Sequence, residues 1–153
     1  MACLQLNRGE PFRALSRSPD ETRAIGRAFG KLLRQGDIIY IYGEIGAGKT
    51  VFVSGIAASM DIADYITSPT FTIVNIYEGS LFLCHFDAYR IESRAELLET
   101  GFYEYAGGNC AVVVEWAEKI HGFCPAAGAE VRIEAAAGNE NDTDRIINIT
   151  FNA

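Results

Sequence analysis

Residues 37–53 read DIIYIYGEIGAGKTVFV. The run DIIYIY (37–42) is short, β-branched and apolar, the pattern of a strand buried at the centre of a sheet. It leads directly into Gly43, four further residues, and then Gly48-Lys49-Thr50. From Lys49 to about Met60 the chain reads as a helix. A strand, a glycine loop and a helix in immediate succession give the spacing its meaning, because a phosphate-binding loop works at that junction.

The chemistry follows from the residue types. Glycines let backbone N–H groups turn inward and cradle a phosphate where side chains would block it. The loop feeds a helix N-terminus, whose free amides and dipole favour an anion. Gly43, Glu44, Ile45, Gly46, Ala47 and Gly48 therefore form the expected cradle for a nucleoside triphosphate. Lys49 would span the β- and γ-phosphates, and the Thr50 hydroxyl would hold Mg²⁺. The magnesium shell then needs an acid from a neighbouring strand end. SLFLCHFD (80–87) and AVVVEW (111–116) read as apolar strands ending in Asp87 and Glu115. Either carboxylate alone could be merely solvated. Two together imply that at least one faces the metal.

The remaining pattern is α/β. Residues 2–6 suggest a short strand before a turn at Arg8-Gly9-Glu10-Pro11. Ser18-Pro19-Asp20-Glu21 reads as a helix start, with a Ser cap, Pro at the first position and acids in the first turn. Ile25, Phe29, Leu32 and Leu33 continue at helical spacing, and Gly36 ends that helix. A second helix is expected from Ser93 to about Tyr105, with Leu97, Leu98 and Phe102 on its apolar face. EVRIEAA (130–136) and RIINITF (145–151) alternate about a Gly-Asn-Glu-Asn-Asp loop and predict an antiparallel hairpin. Strands alternating with helices predict a three-layer P-loop NTPase fold. Its sheet should be mixed, parallel in the middle, with a C-terminal antiparallel hairpin.

Length and composition narrow the function. At 153 residues the chain should form one domain and bury roughly 70% of its unfolded surface. Half-apolar composition with 22% charged residues is ordinary for a globular protein. The 13 basic and 20 acidic residues give a net charge of −7. Tight, autonomous nucleic-acid binding is disfavoured by that balance, unless the basic residues cluster or a partner supplies charge. Cys3, Cys84, Cys110 and Cys124 show no C-x-x-C spacing, so disulfide and zinc frameworks are not indicated. Cys84 beside His85 is a candidate metal pair; buried free thiol is the alternative. Reduced cysteines, no signal-peptide core and no long apolar run fit a cytoplasmic protein without a membrane span.

The segment SPTFTIVNIYEG (68–79) places Ser68, Thr70 and Thr72 at alternate positions, hence on one side if the chain is extended. It is either an edge strand with a polar face or a switch whose Thr senses a γ-phosphate. GEIGAGKT, then SPTFTIVNIYEG, then HFDAYR (85–90), then VVEWAEK (113–119), in this order and at these separations, resembles the TsaE family (formerly YjeE). The resemblance covers roughly residues 18–135. It implies a weak P-loop ATPase that uses ATP and Mg²⁺ and works with TsaB and TsaD in threonylcarbamoyl modification of tRNA adenosine next to the anticodon. Contact with tRNA would be indirect, through that complex. By motif, Lys49 and Thr50 would bind phosphate and Mg²⁺. Ser68, Pro69, Thr70, Phe71 and Thr72 would form the first switch, and His85, Tyr89 and Arg90 would belong to the second. Asp87 matches the family acid near the metal or attacking water. Glu115 matches the Walker-B-like acid, with Trp116 beside the nucleotide. Thr22, in DETRAIG, is a candidate contact for the base. Glu44-Ile45 replaces the usual Asp-Leu, and Val51 follows Thr50 where Thr is common; neither removes a phosphate contact. The stretch before Ser18 is not explained by the resemblance.

A small-molecule or nucleotide kinase is the alternative. Such an enzyme needs a lid and an acceptor pocket that exclude water, and no separate Arg-rich lid segment follows Thr50. A guanine-reading Asn/Thr-Lys-x-Asp motif is also missing from the chain. A non-enzymatic nucleotide sensor remains open on sequence grounds.

Overall fold

A computed structural model describes residues 4–70, 72–136 and 143–152. Phe71, Cys3 and the Gly-Asn-Glu-Asn-Asp loop lie outside the described residues. The strands are β1 (Phe12–Ser16), β2 (Ile38–Tyr42), β3 (Val74–Tyr77), β4 (Phe82–Asp87), β5 (Cys110–Glu115), β6 (Ala129–Ala135) and β7 (Arg145–Phe151). The helices are α1 (Pro19–Gly30), α2 (Lys49–Ser59), α3 (Arg94–Glu99) and α4 (Phe102–Tyr105), with a 3₁₀ turn at Ala117–Lys119.

One sheet runs in the order β1-β7-β6-β2-β5-β4-β3. β2 pairs in parallel with β5 and β6, and β4 pairs in parallel with β5. The β1–β7, β6–β7 and β3–β4 pairs are antiparallel. The expected mixed sheet with a parallel centre and a C-terminal hairpin is therefore present. All five residues of β2 are buried, as a central strand covered on both faces requires. Ile39 and Ile41 join Phe29, Phe52, Ile56 and Val131 on one face. Ile38 and Tyr40 join Val112, Val114, Leu97 and Phe102 on the other. This period of two is what makes three layers from one strand.

Local chemistry explains the helix starts. Ser18 caps α1 by accepting from the Glu21 N–H at 3.1 Å, and Ser93 caps α3 by accepting from the Glu96 N–H at 3.2 Å. The first helix ends at Gly30 rather than Gly36, since the Leu32 and Leu33 amides bond to Phe29 and Gly30 in tighter turns. Gly36 occupies a separate turn, and its N–H donates to Cys110 O at 2.9 Å. The second expected helix is split: Gly101 takes φ 81°, which stops α3 and caps α4. Leu98 is consequently exposed, not on the apolar face. Residues 4–6 form no strand. The N-terminal strand instead follows the turn, where the FRALS backbone pairs along β7. Among the described residues no helix is long and apolar enough to cross a membrane.

Candidate functional site

The parallel register levels the carboxyl ends of three strands. Ile41 pairs with Glu115, and Glu115 pairs with Asp87. The loop Gly43–Gly48 leaves β2 at that level and enters α2. Ligands of open α/β sheets bind at such carboxyl ends. Gly48 is the N-cap of α2 at φ 100°, a conformation L side chains avoid, and it makes no side-chain cap bond. The first-turn amides of α2 are thereby left for a ligand rather than for the protein.

Lys49 is nearly buried and turns back over the loop. Its Nζ donates to Gly43 O at 2.6 Å and Glu44 O at 3.1 Å and sits 4.3 Å from the centroid of the Trp116 ring. Burial pushes the Lys49 ammonium down from its ordinary value, while Glu115, Glu118, Asp87 and Glu44 pull it back up. Thr50 Oγ1 donates to Glu115 Oε1 at 3.2 Å. His85 Nε2 stands 3.2 Å from the same oxygen. It is not aligned for a hydrogen bond, and neither ring nitrogen of His85 has a hydrogen-bond partner among the described residues.

Asp87 organises the other side. Its Oδ2 accepts from Thr70 Oγ1 at 2.8 Å and Ser68 Oγ at 3.3 Å, and its Oδ1 accepts from the Tyr89 N–H at 2.8 Å. Both acids are 2% exposed. Ser68 and Thr70 thus meet the acid, but Thr72 does not. The expected alternation fails at Thr72, beside which the Ile73 N–H donates to Pro69 O at 2.6 Å, with Ile73 at φ 69°. Thr72 Oγ1 instead donates to Asn75 Oδ1 at 2.9 Å. The extended strand begins only at Val74, on the edge of the sheet.

Trp116 also has a left-handed backbone, at φ 57°. Such a conformation is uncommon for a bulky residue and is held only where surroundings enforce it. It swings the ring over Lys49 and against Tyr89, at a centroid distance of 5.1 Å. A cleft of about 530 Å³ is lined by Ile45–Val51, Ser68, Thr70, Tyr89, Glu115 and Trp116. Arg90 is not in it; that residue lines a hollow with Thr72, Ile73, Glu96 and Glu99. Thr22 is buried behind the loop, its Oγ1 2.7 Å from Ser16 Oγ. Its methyl faces Gly48, 3.8 Å from where a Cβ would stand.

A second cleft, of about 380 Å³, lies across the glycine loop, and Trp116 borders both. Sequence reasoning named its loop side and Trp116 but missed Tyr42, Arg132 and Arg145. Tyr42 Oη is buried without a partner among the described residues, and the Arg132 guanidinium lies 4.3 Å from the Tyr42 ring centroid. Arg145 donates to Gly46 O at 3.2 Å, holding the loop from β7. The hairpin alternation placed Arg132 and Arg145 only as polar positions; nothing local told of the loop they flank. No group of three or more metal-ligating His, Cys, Asp or Glu occurs among the described residues. Cys84 is a buried free thiol, whose pKa burial pushes well up, as inert core cysteines do.

A central strand, a glycine loop and a helix, flanked by parallel strands that each end in a buried acid, define the P-loop NTPase class of α/β proteins. A family model described as "Threonylcarbamoyl adenosine biosynthesis protein TsaE" matches residues 16–146. The chain belongs to the TsaE family. It is 36% identical over 133 residues to the tRNA threonylcarbamoyladenosine biosynthesis protein TsaE of Treponema pallidum, covering 86% of this chain and 98% of that one. It is 36% identical over 137 residues to the protein of that name in Bacillus subtilis, covering 89% and 82%. The crystal structure of YdiB from Bacillus subtilis superposes with a TM-score of 0.78 at 31% identity, covering 93% of this chain and 86% of that one.

Proposed function

We propose that this chain is a cytoplasmic P-loop ATPase that binds ATP–Mg²⁺, hydrolyses it slowly alone, and supports TsaB and TsaD in threonylcarbamoyl modification of tRNA adenosine. One observation carries the reading: Lys49, Thr50, Glu115 and Asp87 converge on one end of the sheet, with Ser68 and Thr70 fastened to Asp87.

The residues fit Mg²⁺. Thr50 and Glu115 offer hard oxygen donors already within hydrogen-bond distance, and Asp87 offers a second buried carboxylate. A bound Mg²⁺ would neutralise charge on the β- and γ-phosphate oxygens. The chain's own groups supply the rest. The α2 amides and the loop N–H groups would hold the phosphates. Lys49 would exchange its two carbonyl contacts for phosphate oxygens, keeping charge-assisted hydrogen bonds throughout. Asp87 would orient water at the γ-phosphate, with Ser68 and Thr70 coupling that acid to the switch segment. The nucleoside would cross the loop into the cleft lined by Tyr42, Trp116 and Arg132, where aromatic faces suit a flat base.

The test is phosphate release from ATP by the full chain, with and without TsaB, TsaD and tRNA. Slow turnover alone and a rise with the partners is the expected result. No hydrolysis under either condition would refute the ATPase reading, and phosphate transfer to a small molecule would replace it with a kinase.

A further inference from the structure

The net charge of −7 hides an uneven distribution. Seven of the thirteen basic residues fall within the first 34 positions, beside only Glu10, Asp20 and Glu21. Part of this excess becomes one surface. On α1 and its C-cap, Arg23, Arg27 and Lys31 stand at i, i+4 and i+8, so they share a face. They recur about every 6 Å along the axis, at 1.5 Å per residue. All three are exposed. Among the described residues none of them has an ion-pair partner. Asp20, three residues before Arg23, and Asp64 line a hollow with Arg23 but form no ion pair with it, and Glu21 is turned away to accept from the Arg17 N–H at 2.7 Å. The opposite side of α1 is committed to the core through Ile25, Gly26 and Phe29.

What such a face fits depends on what it lacks. Protein interfaces, although they also use Arg, are built around buried aromatic and large apolar anchors. No large exposed hydrophobic residue lies on α1; between the cations stand only Ala24 and Ala28. Evenly spaced, unneutralised cations over small side chains suit a phosphate backbone, which is bound by charge and close approach without sequence readout. We propose that the Arg23–Arg27–Lys31 face of α1 contacts the sugar–phosphate backbone of RNA. This rests on the reading above only for the identity of the RNA, the tRNA being modified. The contact is weak, because the other 119 residues carry six cations against seventeen acids. It serves to hold a tRNA beside the ATPase, not to select one.

The experiment measures binding of the full chain to fluorescently labelled, unmodified tRNA by anisotropy, from 50 to 200 mM salt. Poly-glutamate serves as competitor, and the Arg23→Gln/Arg27→Gln/Lys31→Gln variant runs in parallel. Three phosphate contacts predict a log–log salt slope of about −2 to −3, a loss of roughly 15- to 60-fold across that range. The triple variant should lose that binding and its slope, with circular dichroism and ATP affinity unchanged. Restoring Arg27 alone should return a slope of about −1. Equal tRNA binding by wild type and triple variant would overturn the proposal. So would a wild-type protein that ignores tRNA, or one whose tRNA is displaced by poly-glutamate at equal charge, which would make the face a dock for an acidic protein. ATP affinity is read separately, so a wild-type chain that binds tRNA but no ATP would refute the ATPase and leave the RNA face standing.

Discussion

Lys49 holds the glycine loop from inside, through Gly43 O and Glu44 O, while its ammonium sits over the Trp116 ring. Its role is charge at a fixed point, and no core packing depends on the ammonium. Lys49→Ala should therefore remove ATP binding while leaving the fold. Loss of two charge-assisted hydrogen bonds at about 1.5–3 kcal/mol each predicts at least a hundredfold fall in affinity. Nucleotide titration beside circular dichroism checks both halves, and unchanged affinity would refute the loop assignment. Trp116 supplies an independent readout, since it is the only Trp in the chain and touches the side chain that must move. Its emission should shift when ATP–Mg²⁺ is added and stay constant in Lys49→Ala. A silent Trp116 in the wild type would mean that Lys49 does not leave its carbonyls. Thr50 was legible from the glycine-loop spacing, and Glu115 and Asp87 because each ends an apolar run. Tyr42, Arg132 and Arg145 were not, because the sheet alone brings β6 and β7 beside the loop.

Two elements set how firmly the loop is backed. α1 and α2 cross so closely that a Cβ on Gly55 would stand 2.1 Å from Arg23 O, and one on Gly26 would stand 2.2 Å from Phe52 O. Backbone cannot yield as a side-chain tip does. Gly55→Ala should therefore destabilise the protein by about 1–3 kcal/mol, the usual cost of overpacking, or roughly 2–10 °C in Tm. A melt unchanged by the substitution would show that the helices separate at little cost. Because α2 begins at Lys49, ATP affinity should fall along with stability. Neither glycine looked special in the sequence, where a glycine inside a helix reads only as a weak point. The element boundaries divide the same way. α2 was legible because it opens directly from the glycine loop, and the C-terminal hairpin because its strands alternate about turn residues. The shortened α1 and the split at Gly101 were not, because tertiary contacts such as Gly36 to Cys110 decide them. Ile73 is another such case: it accepts its unfavourable φ while its carbonyl receives the Asp87 N–H at 2.8 Å.

Across the whole molecule, the two acids occupy matched positions on neighbouring strands and yet face different neighbours. Glu115 meets Thr50, the other expected magnesium ligand, whereas Asp87 is bonded to the Ser68–Thr70 segment and to the Tyr89 amide. A group that holds the metal acts in ground state and transition state alike, while one that positions water acts late. Glu115→Gln should chiefly weaken Mg²⁺-dependent ATP affinity, by about 10- to 100-fold, the range for altered metal surroundings. Asp87→Asn should leave affinity nearly intact and lower kcat by about 100-fold or more, as loss of a positioned acid–base group does. On the proposed function, the partners would act through the same acid. Ser68 is exposed, and with Thr70 it ties to Asp87 a segment that precedes an edge strand, so a docked partner can reorder it and carry Asp87 with it. TsaB and TsaD should then raise kcat in the wild type and in Glu115→Gln at saturating Mg²⁺, but not in Asp87→Asn. Single-turnover ATPase kinetics on the three proteins, each with and without partners, separates the outcomes. Exchanged phenotypes would reverse the two acids while leaving the fold and family in place. Stimulation of Asp87→Asn equal to that of the wild type would mean that the partners act elsewhere than on the hydroxyl–carboxylate link.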